Sequence, residues 1–429
     1  MVCAAVAIVS GVACGESNFP QPEFESGYQM PVTGHTLPWG AGWEYLDVVV
    51  LAGALVLATL LALKWRSRKG LFTLSVFSIL YFGFWRQGCV CPVGSLQNVT
   101  LALTDTGYAL PLAVLAFFML PLVFALLFGR TFCAAVCPLG ALQDAVIFKP
   151  VKVPQWLAHA LGMLAYIYLG LAILFVATGT GFVICRYDPF VSFFRMDGYA
   201  SRFLIGGVLL VIGIFVARPY CRFLCPYGVL LGWMSRFSRR HLTITPDECV
   251  QCTLCEESCP FGAIRKPVEG EGSESRETGV RRLAILLLLL PVFVGAGVWA
   301  GGWAEGALSR SHPKVRLSER IVREDAGQVT GETIESEAFR QTGEPTKDFH
   351  ARAEGLWGQF RSGGRMLGGF LGLAFGLSLI GVSVRWSRAG YEPDRTECLS
   401  CGRCFSYCPR EHVRVKEQGV GHHELFRVP

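Results

Sequence analysis

ECVQCTLCEESCPFGAI, residues 248–264, places Cys249, Cys252, Cys255 and Cys259 in one short run and follows them with Pro260. A second stretch, ECLSCGRCFSYCPRE at 397–411, repeats the pattern with Cys398, Cys401, Cys404, Cys408 and Pro409. Two-residue gaps let the backbone wrap a compact group, so that three thiolates can meet three irons of one cube. The run C-x2-C-x2-C-x3-C-P is the ligation signature of a [4Fe-4S] cluster. Zinc knuckles use two separated C-x-x-C pairs, and disulfides are rare in a reducing cytoplasm. The two runs therefore predict two [4Fe-4S] clusters.

In bacterial two-cluster ferredoxins the fourth Cys of each run ligates the other cluster. That rule assigns Cys249, Cys252, Cys255 and Cys408 to one cube, and Cys398, Cys401, Cys404 and Cys259 to the other. Both runs must then lie on the same side of any membrane. Together they predict a small split α+β module of the bacterial-ferredoxin type, with one half at 241–282 and the other, with the C-terminal tail, at 386–429.

Around these runs the chain reads as a membrane protein. It has 429 residues, of which 52% are hydrophobic and 17% charged, and its mean hydropathy is positive. Stretches of about 20 residues carry no charge at all, as a span of the bilayer requires. The formal charge of +6 is spread beside apolar runs without an aromatic-basic stripe, which excludes nucleic-acid binding. Seven apolar runs, roughly 45–64, 71–86, 109–128, 158–180, 203–218, 283–303 and 367–385, predict seven transmembrane helices, since only helices satisfy their own backbone in lipid. The expected fold is an all-α polytopic bundle carrying the ferredoxin module on its cytoplasmic face.

Orientation follows from charge. Lys64, Arg66, Arg68 and Lys69 sit between the first two runs, whereas 87–108 lacks Lys and Arg, so the first of these loops is cytoplasmic. Alternation then puts 129–157, 219–282 and 386–429 inside a bacterial inner membrane and 87–108, 181–202 and 304–366 outside. Two spans separate the Cys runs, so both fall on the cytoplasmic side. The organisation is a leader and external loop at 1–44, a five-helix core at 45–240, and a hairpin at 283–385 whose external loop, 304–365, should form short amphipathic helices lying on the membrane surface. Residues 1–14 read as a signal, a lipoprotein leader ending at Cys14, or a misassigned start.

A weak repeat runs through the core: CPVGSLQN at 91–98, CPLGALQD at 137–144 and CPYGVLLG at 225–232. Each predicts a backbone bend into a helix N-terminus. FCAAVCPLG and YCRFLCPYG supply Cys133, Cys137, Cys221 and Cys225, four thiols at one membrane boundary that could hold a metal or a third cluster. Buried Cys packing beside a Pro bend is the competing reading. On the outer side Cys89, Cys91 and Cys185, with Asp188 nearby, leave three options open: a disulfide, a metal, or an outward electron path. Thr330-Gly-Glu-Thr333 is only faintly like a flavin-attachment sequence, and the eight His residues offer no facing pair for haem.

With its two C-x3-C-P motifs and two ferredoxin runs, the chain resembles the polyferredoxin membrane core of the NosR/NapH family over roughly 43–414. The resemblance implies an electron-transfer role linking the quinone pool or a cytoplasmic donor to a periplasmic redox protein. The alternative it carries is a maturation role for a copper or other metal-containing reductase or oxidase. The family's cluster ligands fall on the eight ferredoxin cysteines, and its C-x3-C-P cysteines on Cys133, Cys137, Cys221 and Cys225. Two departures stand out. Residues 15–44 are too short for the periplasmic flavin domain of NosR, so any FMN belongs on a separate flavin-carrying partner. The ferredoxin runs, usually near neighbours in this family, are here split by a two-helix hairpin.

Overall fold

A computed structural model describes residues 41–88, 91–196, 200–244, 249–267, 276–383 and 390–417. The leader reading at 1–14, Cys14 and Cys89 lie outside the described residues. The first part of the chain holds helices α1 (Ala41–Thr59), α2 (Arg68–Ser78), α3 (Pro92–Thr104), α4 (Leu112–Phe128), α5 (Pro138–Ala145) and α6 (Gln155–Ala177). There follow α7 (Val183–Tyr187), α8 (Pro189–Arg195), α9 (Ala200–Phe215), α10 (Pro219–Phe223) and α11 (Pro226–Arg236). The remainder comprises α12 (Leu254–Glu257), α13 (Arg276–Trp303), α14 (Glu305–Ser309), α15 (Pro313–Asp325), α16 (Ile334–Gln341), α17 (Thr346–Ser383), α18 (Arg403–Ser406) and α19 (Pro409–Glu417), with strands β1 (Ile264–Arg265) and β2 (Glu392–Pro393).

All seven apolar runs fold as helix, but their lengths differ. Four helices, Gly42–Lys64, Gln155–Ala177, Glu277–Trp303 and Thr346–Ser383, are long and apolar enough to cross a membrane, and α8 and α9, bent by 108°, match a fifth span only if counted together, as a broken span or a re-entrant pair. The wider π-type turns Leu60–Lys64 and Ile79–Trp85 extend α1 and α2. Such turns shift the phase of a helix and gather at functional sites. A third, Phe132–Val136, precedes Cys137.

The stretch expected as an external loop at 87–108 behaves differently. Its helix α3 packs between α4 and α6 and buries Ser95, Leu96, Gln97 and Thr100. It is too short to span, and its burial comes from its neighbours. α11 enters the bundle in the same way: Tyr227, fully buried, donates its hydroxyl to Phe118 O at mid-length of α4. In α3, α5 and α11 a Pro at the first helical position follows a Cys at the N-cap, Cys91, Cys137 and Cys225 respectively. Pro suits that position because its missing N–H would be unpaired there anyway.

The hairpin between the Cys runs is held by glycine. Along α13 and α17 the facing residues Gly297, Gly301, Gly364, Gly368 and Gly372 bring backbone against backbone, the small-residue packing that associates helices in lipid. α17 also docks on α6, where Phe360 meets Phe175 and Phe370 meets Tyr166. None of the apolar window of α13 is buried within the chain, as expected for a lipid-facing helix. Exposed Trp299 and Trp303 lie near its end, where tryptophans favour the membrane interface.

The loop at 304–365 does form short amphipathic helices. α17 starts at Thr346, twenty-one residues before its apolar part was expected to begin, and α15 and α16 pack on and beside this extension around Leu317, Ile321, Phe339 and Phe349. Their apolar faces thus cover part of the chain itself. Within this cap the Thr333 hydroxyl accepts from Ser336 N as the N-cap of α16, which gives the flavin-like sequence a structural role.

Candidate functional site

β1 and β2 pair antiparallel, Ile264 with Pro393 and Arg265 with Glu392, and α12 packs on α18. The two Cys runs are thereby joined although more than a hundred residues separate them. Their loops share a backbone shape: Gln251 and Thr253 in the first, and Ser400 and Gly402 in the second, all have positive φ. Left-handed residues alternating with ordinary ones turn successive N–H groups inward, forming a nest for an anionic group. Backbone N–H groups favour the thiolate at both runs, those of Phe261, Gly262 and Ala263 at Cys259 and that of Ser400 at Cys398, each acting to lower the thiol. Only Gly402 announced this geometry in the sequence.

Two hollows result. One is lined by Cys259, Cys398, Cys401 and Cys404 together with Phe261, Leu399 and Arg403. The other is lined by Cys249, Cys252, Cys255 and Cys408 with Tyr391 and Arg410. Each contains three thiols of one run and the fourth of the other. Cys404, Cys255 and Cys259 are buried, whereas Cys249 and Cys252 are exposed, so the second hollow opens at the surface. Burial pushes the Cys255 thiol up to about 11 and that of Cys398 to about 12. Burial likewise raises Cys259 and holds Cys404 well above the ordinary thiol range. Such thiols ionise at neutral pH only when a metal takes the place of the proton.

Among the described residues no three His, Cys, Asp or Glu side chains converge tightly enough to hold a single metal ion. One zinc would draw its thiolates to about 2.3 Å from a common centre, whereas a cube spreads four thiolates over four irons. Four thiols lining each hollow supply the ligand number a cube requires.

The second cysteine group lies inside the bundle. Cys133, Cys137, Cys221 and Cys225 all pack on the main core, with Cys221 close enough to Cys133, Cys137 and Cys225 for each to feel the other's charge. The fully buried Gln143 donates to the Cys221 sulfur at 3.2 Å and accepts from Tyr220 N at 3.1 Å. Gly228 N donates to the Cys225 sulfur at 3.3 Å. Cys137 and Cys225 also come within electrostatic reach of Cys91, so the C-x-C-P segment is continuous with this group. Cys185 lies beside it: its N–H donates to Gln97 Oε1 at 3.2 Å, and its sulfur is 3.4 Å from where a Cβ would stand on Gly94. Cys91 carries a free thiol. Asp188 is occupied as the cap of α8, accepting from Phe190 N at 2.8 Å and from the Tyr220 hydroxyl at 2.9 Å.

Arginines join the two groups, and these the spacing of cysteines did not reveal. Arg66 pairs with Glu411 at 2.6 Å and lies over the Phe405 ring. Arg68 donates to Cys401 O at 3.0 Å. Arg130 donates to Thr396 O at 2.9 Å and Gly228 O at 3.2 Å. Arg218, fully buried, donates to Cys133 O, pairs with Asp144 at 3.4 Å and faces the Phe261 ring. The basic cluster that fixed the topology in the sequence thus also clamps the ferredoxin module onto the bundle.

Apolar membrane-length helices combined with paired four-thiol hollows define a membrane protein with ferredoxin-type iron–sulfur domains. A 4Fe-4S binding domain model matches residues 110–158 and 199–245, covering both C-x3-C-P motifs, and a second 4Fe-4S binding domain model matches 242–265. These matches, like the cysteine pattern, make the chain similar to proteins of the NosR/NapH-like polyferredoxin type. It is similar to the putative electron transport protein YccM of Escherichia coli, 29% identical over 39% of this chain and 52% of YccM. It is also similar to the regulatory protein NosR of Stutzerimonas stutzeri, 28% identical over 44% of this chain and 28% of NosR. Protein NirI of Paracoccus denitrificans is 27% identical over 32% of this chain and 22% of NirI. The chain thus spans about half the length of YccM and less of the other two. No solved structure matches the chain.

Proposed function

We propose that this chain is an iron–sulfur electron-transfer protein of the bacterial inner membrane. In this reading Cys249, Cys252, Cys255 and Cys408 hold one [4Fe-4S] cluster, and Cys398, Cys401, Cys404 and Cys259 hold another. When bound, such clusters supply one-electron exchange at thiolate-ligated iron. Seven helices cross the bilayer, and the split ferredoxin module faces the cytoplasm. Cys133, Cys137, Cys221 and Cys225 hold a third redox group, and Cys89, Cys91 and Cys185 continue the path outward.

The single observation that carries this reading is the composition of the two hollows, each drawing three thiols from one run and one from the other. The residues around them have separable tasks. Exposed Cys249 and Cys252 set one hollow at the surface, where a cytoplasmic donor can approach. Phe261, Leu399 and Phe405 keep water from the other. Left-handed Gln251, Thr253, Ser400 and Gly402 hold N–H groups toward sulfur and stabilise its negative charge. The intramembrane thiols shorten the gap across a hydrocarbon core of about 30 Å. A periplasmic redox protein receives or supplies the electrons on the far side, and quinol is a candidate donor.

The test is anaerobic purification from membranes followed by mixing with a quinol and with low-potential cytoplasmic-type donors. Reduction by either, followed in the visible spectrum and by EPR, is the expected result. A protein that carries clusters yet exchanges electrons with neither pool would sink the reading.

A further inference from the structure

The two C-x3-C-P motifs share more than cysteine. Arg130 stands three residues before Cys133, and Arg218 three before Cys221, so the repeat is R-x2-C-x3-C-P-x-G at 130–140 and 218–228. Each arginine reaches across to the other motif. Arg218 donates to Cys133 O, and its Nη1 would sit 3.2 Å from a Cβ on Gly140. Arg130 donates to Gly228 O at 3.2 Å, and its Nη2 would sit 3.3 Å from a Cβ on Gly228. The last Gly of each motif is the space through which the opposite guanidinium passes.

Both arginines also reach the ferredoxin module, and on the same side of it. Arg218 lies over Phe261, next but one to Cys259, and senses Cys401 electrostatically. Arg130 donates to Thr396 O at 2.9 Å and acts on Cys398. Cys259, Cys398 and Cys401 line one hollow. The contacts of Arg130 and Arg218 fall on Thr396, Gly228, Cys133, Asp144 and Phe261, none of which lines the other hollow. Arg218 Nη2 pairs with Asp144, whereas Arg130 Nε and Arg218 Nε are buried with no hydrogen-bond partner. A guanidinium without a full set of partners is costly to bury, and negative charge nearby, such as that of thiolate sulfur, offsets the cost.

We propose that Arg130 and Arg218 form a crossed clasp that fixes the membrane thiol group against the hollow of Cys259, Cys398, Cys401 and Cys404, and raises the reduction potential of whatever iron–sulfur group each holds. This rests on the cluster reading above. A cation in a low-dielectric setting favours the reduced, more negative state, so both sites are poised upward together while the surface hollow is not. Arg130 and Arg218 are positioning residues, since they act through the cysteines and their carbonyls and do not ligate.

The experiment is an EPR-monitored redox titration of the purified full chain, wild type against Arg218→Gln, Arg130→Gln and the two Lys variants. Each Gln variant should shift the midpoint of the cluster on Cys259, Cys398, Cys401 and Cys404 to lower potential and leave the one on Cys249, Cys252, Cys255 and Cys408 unmoved. Each Lys variant should recover most of the shift. Equal shifts at both clusters, no shift at either, or Lys behaving as Gln would overturn the clasp. Should Arg218→Gln lose its clusters, Arg130→Gln and the Lys variants still give the comparison. A wild-type protein with no clusters would sink the earlier reading instead, so the two failures are distinguishable.

Discussion

Gly368→Ala is the sharpest mechanical probe of how the chain returns its second Cys run to the first. A Cβ at Gly368 would stand 2.8 Å from the Gly297 carbonyl carbon and 3.0 Å from Gly301 Cα. Carbon atoms prefer separations of about 3.5–4.0 Å, so α13 and α17 must part by about 1 Å. Overpacking of this kind costs about 1–3 kcal/mol. A gap of that size also forfeits about a quarter to a half of the attraction at neighbouring contacts, here those of Gly301, Gly364 and Gly372. Nothing in the fold relieves the clash, because the obstructing atoms are backbone. The control is Gly295→Ala, where a Cβ meets nothing within 4 Å and alanine's better helix propensity is worth up to about 1 kcal/mol. Thermal unfolding in detergent, read together with iron content, should show Gly368→Ala several degrees below wild type and Gly295→Ala at or above it. If the two variants behave alike, the close backbone packing of the hairpin is wrong.

Other consequences follow from named contacts. Arg66 and Glu411 pair at 2.6 Å with side chains 11% and 5% exposed, so Glu411→Ala removes the carboxylate beside a largely buried guanidinium. That should cost about 3–5 kcal/mol, read as lower thermal stability and faster proteolysis of the C-terminal half. His312 caps α15 by accepting from Lys314 N at 3.2 Å through Nδ1, and burial, with Lys314 nearby, lowers its pKa. The folded state thus prefers neutral imidazole while the unfolded chain takes up a proton near 6.5. Stability from this cap is full above that pH and declines as pH falls below it. Limited proteolysis of 304–345 should accelerate between about pH 7 and 5, and His312→Asn, a cap that does not titrate, should flatten the profile. Cys259→Ser and Cys408→Ser should each perturb the EPR signal of the cluster held by the other run, whereas ligation within one run predicts the opposite assignment.

Much of this architecture was legible because cysteine spacing and apolar length are local properties. The runs at 249–259 and 398–408 fixed the module, and the seven apolar stretches all became helix. The Cys-Pro pairs at 91, 137 and 225 correctly marked helix starts. What escaped depends on partners distant in sequence. α3 was expected only as a helix start within an outer loop, and its burial by α4 and α6 depends on those neighbours. The polar start of α17 looked like surface helix because its cover, α15, lies thirty residues upstream. Arg66 and Arg68 were read only as an orientation signal, which concealed their grip on Glu411 and Cys401. Arg130 and Arg218 were invisible while only the cysteines of each motif were compared.

The central claim is that the eight ferredoxin cysteines hold two cubes. Iron and acid-labile sulfide per chain, measured on anaerobically purified protein with EPR of the reduced state, tests it most directly. The account predicts at least about eight of each with signals of two cubes, rising to about twelve if the C-x3-C-P thiols hold a third. Zinc in place of iron, or iron without sulfide, would contradict it.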